Sequence, residues 1–97
     1  MNINVQDVKF TLDEGRRSYV DKKLERIKYA EDFLTDILLK IKLDQKQFFF
    51  DCTVNFRWGG NAHVSAEEFD FNAGVNKIMD VLDQKIRKEK EKIQEKQ

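Results

Sequence analysis

Every even position from Phe48 to Trp58 is apolar: Phe48, Phe50, Cys52, Val54, Phe56 and Trp58. The odd positions between them are Phe49, Asp51, Thr53, Asn55 and Arg57, polar with one exception. Successive side chains of a strand point to opposite faces of a sheet, so this alternation describes a strand with one dry face and one wet face. Such a strand needs neighbours to pair with and a second layer to cover its dry side. Gly59-Gly60 follow at once and can supply the positive φ angles of a tight hairpin. Ala62, Val64 and Ala66 then alternate with His63, Ser65 and Glu67, which predicts a second strand with small residues on its inner face. Upstream, Ile37, Leu39, Ile41 and Leu43 alternate with Leu38, Lys40 and Lys42, and the polar turn Asp44-Gln45-Lys46 joins this strand to the one beginning at Phe48.

The flanks of this three-stranded meander supply the rest. In the opening NINVQ, Ile3 and Val5 alternate with polar residues, predicting a half-buried strand. Asp13 is a good N-cap with Glu14 in the first turn, and Val20, Leu24 and Ile27 form one apolar stripe of a helix over about 14–29. From Asp70 onward, Phe71, Val75, Ile78, Met79, Leu82 and Ile86 mark a long amphipathic helix. With no proline to stop it, that helix is expected to run to about Glu95 and fray in the charged tail. A helix between the first two strands allows them to be parallel neighbours. The prediction is an α+β two-layer sandwich, β-α-β-β-β-α, with a four-stranded mixed sheet and both helices on its one dry face. The 97 residues form a single domain, 1–97, and 40% hydrophobic content with eleven aromatic residues is enough for its core.

Several function classes drop out. No apolar run approaches the ~18 residues of a membrane span. The N-terminus lacks the basic and apolar regions of a secretory signal, and a single cysteine, Cys52, permits no internal disulfide. A cytoplasmic protein is expected, with Cys52 a small core residue. His63 shares a strand face with Ser65, but no acid-oriented triad or nucleophile elbow accompanies them. Glu67, Glu68 and Asp70 read as N-cap chemistry rather than a metal site. No catalytic residue, metal, cofactor or small-molecule substrate is predicted.

Charge is where this chain carries information. Lys plus Arg and Asp plus Glu both number 18, so the formal net charge is zero, yet the charges are segregated. Residues 16–28 carry a local +4, residues 61–83 a local −4, and residues 84–97 a local +3. At helical spacing, Lys77, Lys85, Lys88 and Lys92 fall on one flank of the second helix, with Asp80 and Asp83 pointing away. Lys22 and Arg26 share a face of the first helix, and Lys23 borders its apolar stripe. If the helices lie side by side, these flanks would merge into one positive surface able to bind phosphates by counterion release. A solvated lysine face that keeps a small domain soluble has the same pattern.

The chain also resembles a known family. Gly59-Gly60, His63-Val64-Ser65-Ala66-Glu67 and Asp70-Phe71-Asn72-Ala73-Gly74-Val75-Asn76 are similar to the Gly-Gly hairpin, the H-A-S-A-E strand and the D-M-Y-A-A-I-D helix start of the ribosome hibernation-promoting factor / ribosome-associated inhibitor A family. Leu12 to Val20 looks like its V-T-E-A-L-R-x-Y-V, and Lys23 and Arg26 stand where its first helix is basic. The resemblance, to the short type of the family, implies a protein that binds the RNA of the small ribosomal subunit in the mRNA and tRNA channel, blocks translation and preserves idle ribosomes under stress. With the charge pattern, it makes Lys22, Lys23, Arg26, Lys77, Lys85, Lys88, Lys90 and Lys92 the expected RNA contacts. The chain departs from the family pattern at Arg16, usually apolar, at Asn72, Gly74 and Asn76, usually aromatic, Ala and Asp, and at Val81 and Gln84, where relatives commonly place Lys and Arg. The alternative is a protein-interaction module acting on a transcription or stress regulator through the exposed sheet face of Phe49, Thr53, Asn55, Arg57, His63, Ser65 and Glu67.

Overall fold

The computed structural model describes residues 1–95, with side chains to Ile93. Its elements are β1 (Asn2–Val8), α1 (Glu14–Leu24), a 3-10 stretch (Glu25–Asp32), β2 (Leu34–Asp44), β3 (Gln47–Phe56), β4 (Asn61–Glu68) and α2 (Phe71–Glu95). The predicted architecture is the one observed. The sheet order is β1-β2-β3-β4, with β1 parallel to β2 and the other pairs antiparallel. Ile37, Leu39, Ile41, Phe48, Phe50, Cys52, Val54, Phe56, Ala62 and Val64 form the dry face, and the helices bury Val20, Leu24, Ile27, Val75, Ile78, Met79, Leu82 and Ile86 against it. Cys52 is wholly buried, and burial pushes its thiol up to about 12.

Local structure departs from expectation at four places, each with a physical cause. The first helix stays α-helical only to Leu24 and tightens into 3-10 geometry over Glu25–Asp32. Leu24, Ile27 and Ala30 recur every third residue, a period that three residues per turn keeps on one face, and all three are buried. β3 ends at Phe56, so Trp58 lies in the hairpin turn, where Gly59 alone adopts a positive φ, 101°. The β2–β3 turn is tighter: Gln45 (φ 50°) and Lys46 (φ 68°) are both left-handed, the two-residue pattern that Asn-Gly usually serves. Ile3 faces the helix layer opposite Ile37 but remains exposed, because β1 is an edge strand. The tail expected to fray is helical as far as Glu95, and its last two residues lie outside the described residues.

One contact positions α2. A Cβ on Gly74 would lie 2.1 Å from Cε1 of the buried Phe50 ring, so only glycine lets the helix close on β3 there. Phe50 also meets Phe71 and Phe48, with ring centroids 6.0 and 6.4 Å away. Arg16 lays its guanidinium 5.2 Å from the Phe71 ring centroid and 5.5 Å from that of Phe48, which suits a cation to this normally apolar position.

Two expectations can be read from denaturant midpoints. Gly74→Ala lowers stability by about 1–3 kcal/mol, because overpacking a fully buried ring outweighs the ~1 kcal/mol gain in helix propensity, and combining it with Phe50→Leu recovers part of the loss. Replacing Gln45-Lys46 by Asn-Gly raises stability by about 1 kcal/mol, because Asn tolerates left-handed backbone better than Gln and Gly carries no Cβ penalty there.

Candidate nucleic-acid interface

α2 packs over β3 and β4 and beside α1, and its 3.6-residue repeat sorts the charges into two flanks. On the flank toward β4 lie Lys77, Lys85, Lys88 and Lys92. Lys85 and Lys88 border a shallow hollow with Val64, Val81 and Gln84. Lys77 Nζ donates to the Glu67 carbonyl at 3.4 Å. Glu89 is the carboxylate within this row, 3.3 Å from Lys85 and 3.5 Å from Lys92, and the hydrogen bond from Lys85 holds its carboxyl below the usual range. Among the described residues, Lys88 has no ion-pair partner.

The opposite flank of α2 meets α1. Asn76 Nδ2 donates to the Tyr19 hydroxyl at 3.0 Å, and the Arg26 guanidinium donates to Asp80. Arg26 also lies 3.6 Å from Asp83, which accepts from the Tyr29 hydroxyl and from Arg87 Nε at 3.1 Å. The carboxylates keep the Arg26 pKa raised, chiefly through the hydrogen bond to Asp80. Tyr29, partly desolvated and donating to Asp83, has its phenol pushed up to about 12.

This geometry corrects the picture of one merged positive surface. Asp80 and Asp83 point away from the lysine row, as expected, but they lie in the seam between the helices and take up Arg26. The cause is rotational, since the α2 flank that carries positions 76, 80, 83 and 87 is the one that meets α1, which turns the lysine row to the far side. Of the predicted contacts, Lys77, Lys85, Lys88 and Lys92 are brought together, and Lys22 is exposed without an ion-pair partner among the described residues. Lys23 rests over the Tyr19 ring (5.3 Å), and Lys90 lies over the Phe33 ring (4.7 Å), apart from the row.

The uncovered sheet face needs a smaller correction. Asp51 does stand beside His63, 3.3 Å from Nε2, because it is diagonal to it across the β3–β4 pair. Both side chains are exposed and Ser65 makes no hydrogen bond to His63, so the three do not form a charge-oriented triad. Phe49 on this face is half-buried in a row with Lys42 and Glu67.

Residues 3–94 match the family described as Sigma 54 modulation protein / S30EA ribosomal protein, and the chain belongs to that family. It is 29% identical over 94 residues to the ribosome hibernation promoting factor of Pseudomonas putida, covering 97% of this chain and 91% of the relative. It is 24% identical over 95 residues to the protein of the same name from Escherichia coli, covering 98% and 99%. Among solved structures, a ribosomal subunit interface protein from Coxiella burnetii superposes with a TM-score of 0.84 at 23% identity, over 93% of this chain and 98% of that one. The N-terminal domain of Protein Y from Thermus thermophilus gives 0.78 at 25% identity, over 91% and 98%. The family is one of ribosome hibernation and subunit interface proteins.

The seam has a pH signature. An unfolded tyrosine releases its proton near pH 10, whereas folded Tyr29 keeps it to about 12. The folded state therefore binds more protons between those values, and the stabilisation present below pH 10 is lost as pH rises to 12. Tyr29→Phe is expected to flatten that decline in urea midpoints and to remove a phenol titrating at about 12 from the ultraviolet spectrum.

Proposed function

We propose that this chain is a non-enzymatic hibernation factor that binds the small ribosomal subunit in the mRNA and tRNA channel and keeps idle ribosomes from translating. The observation that carries the reading is the lysine row of α2, Lys77, Lys85, Lys88 and Lys92, gathered on one flank in a chain whose relatives are named ribosome hibernation promoting factor. Phosphates recruit such a row by releasing counterions, which needs local charge and no base readout. Lys22 and Lys23 on α1 and Lys90 farther along α2 add contacts at the margins. Arg26 contributes least, because Asp80 and Asp83 already neutralise it. A ribosome-bound life places the chain in the cytoplasm, and no helix among the described residues is long and apolar enough to cross a membrane.

Co-sedimentation with purified small subunits tests the assignment. Lys85→Glu with Lys88→Glu abolishes retention while circular dichroism stays unchanged, and Arg26→Gln reduces it far less than Lys88→Gln. Each phosphate contact contributes about −0.7 to −0.9 to the slope of log affinity against log salt, so roughly four contacts give a slope of about −3 to −4. Retention of the double variant at the wild-type level would reject the lysine row as the binding surface.

A further inference from the structure

The hairpin between β3 and β4 ends in an aromatic stack that the lysine row does not explain. The Trp58 indole lies almost parallel to the Phe56 ring, 7° between planes with centroids 4.7 Å apart. Phe33, at the end of the 3-10 stretch, leans against the indole at 6.4 Å and 44°. Phe56 is buried, so the indole is backed by the sheet, and the Arg57 amide is tied to the Phe33 carbonyl at 2.8 Å. Even so, Trp58 keeps 39% of its surface exposed. A tryptophan held flat on a buried ring with its remaining surface in water is an unfinished stack.

The charges around the stack select its occupant. Lys90 Nζ stands 4.7 Å from the Phe33 ring centroid, and Arg57 is exposed on the same turn as Trp58. Among the described residues neither cation has a carboxylate within ion-pair reach. A flat aromatic surface flanked by unpaired cations is the arrangement that receives single-stranded nucleic acid, whose bases stack on the ring while the backbone follows the charges. An apolar protein side chain would use the indole and leave the cations idle.

We propose that Trp58, with Arg57 on its own turn and Lys90 over the adjoining Phe33 ring, is a stacking platform for an unpaired nucleobase of RNA. This rests on the reading of the chain as an RNA-binding protein and deepens it, since the lysine row holds phosphates and the platform holds a base. The platform favours unpaired over duplex RNA and tolerates base identity, with purines stacking best.

Trp58 is the only tryptophan, so its emission reports on the platform directly. Short oligoadenylate is expected to quench it saturably, oligouridylate less, and inorganic polyphosphate or an RNA duplex of equal length not at all. By anisotropy of labelled oligoadenylate, Trp58→Ala weakens binding about tenfold, the scale of one stacked base, and Trp58→Phe retains most of it. Unchanged emission under oligoadenylate, in a protein that still sediments with small subunits, overturns the platform and leaves the proposed function standing. Quenching by oligoadenylate without retention on small subunits overturns the proposed function and leaves the platform. Equal quenching by polyphosphate reduces the effect to charge and also overturns the platform. The spectroscopic readout needs only the wild-type chain, so a poorly folded alanine variant does not spare the proposal.

Discussion

The Phe50 ring occupies the notch left by Gly74, and the orientation of α2 depends on it. A helix resting on a sheet can roll about its own axis at little cost until a large side chain locks it. Here the lock is an aromatic ring against helix backbone, with Phe71 closing the same cluster from the first turn of α2. Once α2 is so rotated, Val75, Ile78, Met79, Leu82 and Ile86 face inward. Asp80 and Asp83 are then carried to α1, and the lysines at 77, 85, 88 and 92 are carried to the β4 side. An apolar contact thereby decides where the charges stand.

That sorting explains how a chain of zero net charge can present a cationic flank. Within the helix layer Asp80 and Asp83 are engaged with Arg26 and Arg87, and Asp21 with Arg17, while Glu14, Glu25, Glu31, Asp32 and Glu91 form no ion pair among the described residues. Those pairs are partly exposed, each contributing on the order of 1 kcal/mol or less to stability. Their greater effect is on the field outside. At physiological ionic strength charges are screened over about 8 Å, less than the ~10 Å thickness of a helix with its side chains. A polyanion approaching the β4 side of α2 therefore senses the lysines and Glu89 far more than the acidic seam on the other side. Total charge averages over a distance that the ligand does not.

The fold was legible because each strand alternates cleanly and the connections are short, so the apolar pattern admitted few topologies. Legibility stopped where a tertiary partner overrides a local pattern. The period of 3.6 that suits Val20, Leu24 and Ile27 gives way to a period of 3 once Ala30 must also be buried, and nothing local announces the change. Asp44-Gln45-Lys46 was readable as a polar turn, but nothing in Gln45 and Lys46 announces their left-handed backbone, which the registers of β2 and β3 impose. The lysine row of α2 was readable as a row, being a property of one helix. The merged surface was not, since it required knowing which flank of α2 meets α1. An apolar stripe says which side of a helix is buried and leaves open which of its two borders faces a neighbour. Trp58 was visible as the end of an alternation, but its role as an exposed stack depends on β3 stopping two residues earlier.

Of the positions at which this chain departs from its family pattern, nothing in the structure explains Asn72, and the others fall into two physical groups. Gly74 answers Phe50, Asn76 answers the Tyr19 hydroxyl, and Arg16 answers the Phe48 and Phe71 rings. Each is matched by a partner inside the chain, at the junction of α1, α2 and β3. Val81 and Gln84 are different. They border the same hollow as Lys85 and Lys88, on the flank turned to β4, where relatives commonly carry cations. Val81 packs against the core and the Gln84 side chain makes no hydrogen bond among the described residues, so together they leave the lysine row with fewer cations than the family pattern carries. A row thinned in this way grips a polyanion through fewer ion pairs. A second kind of contact, insensitive to salt and located beyond the row, then becomes more consequential to binding than it would be in a chain with a full complement of lysines. The exposed indole at the β3–β4 hairpin, outside the lysine row, has the chemistry to supply it.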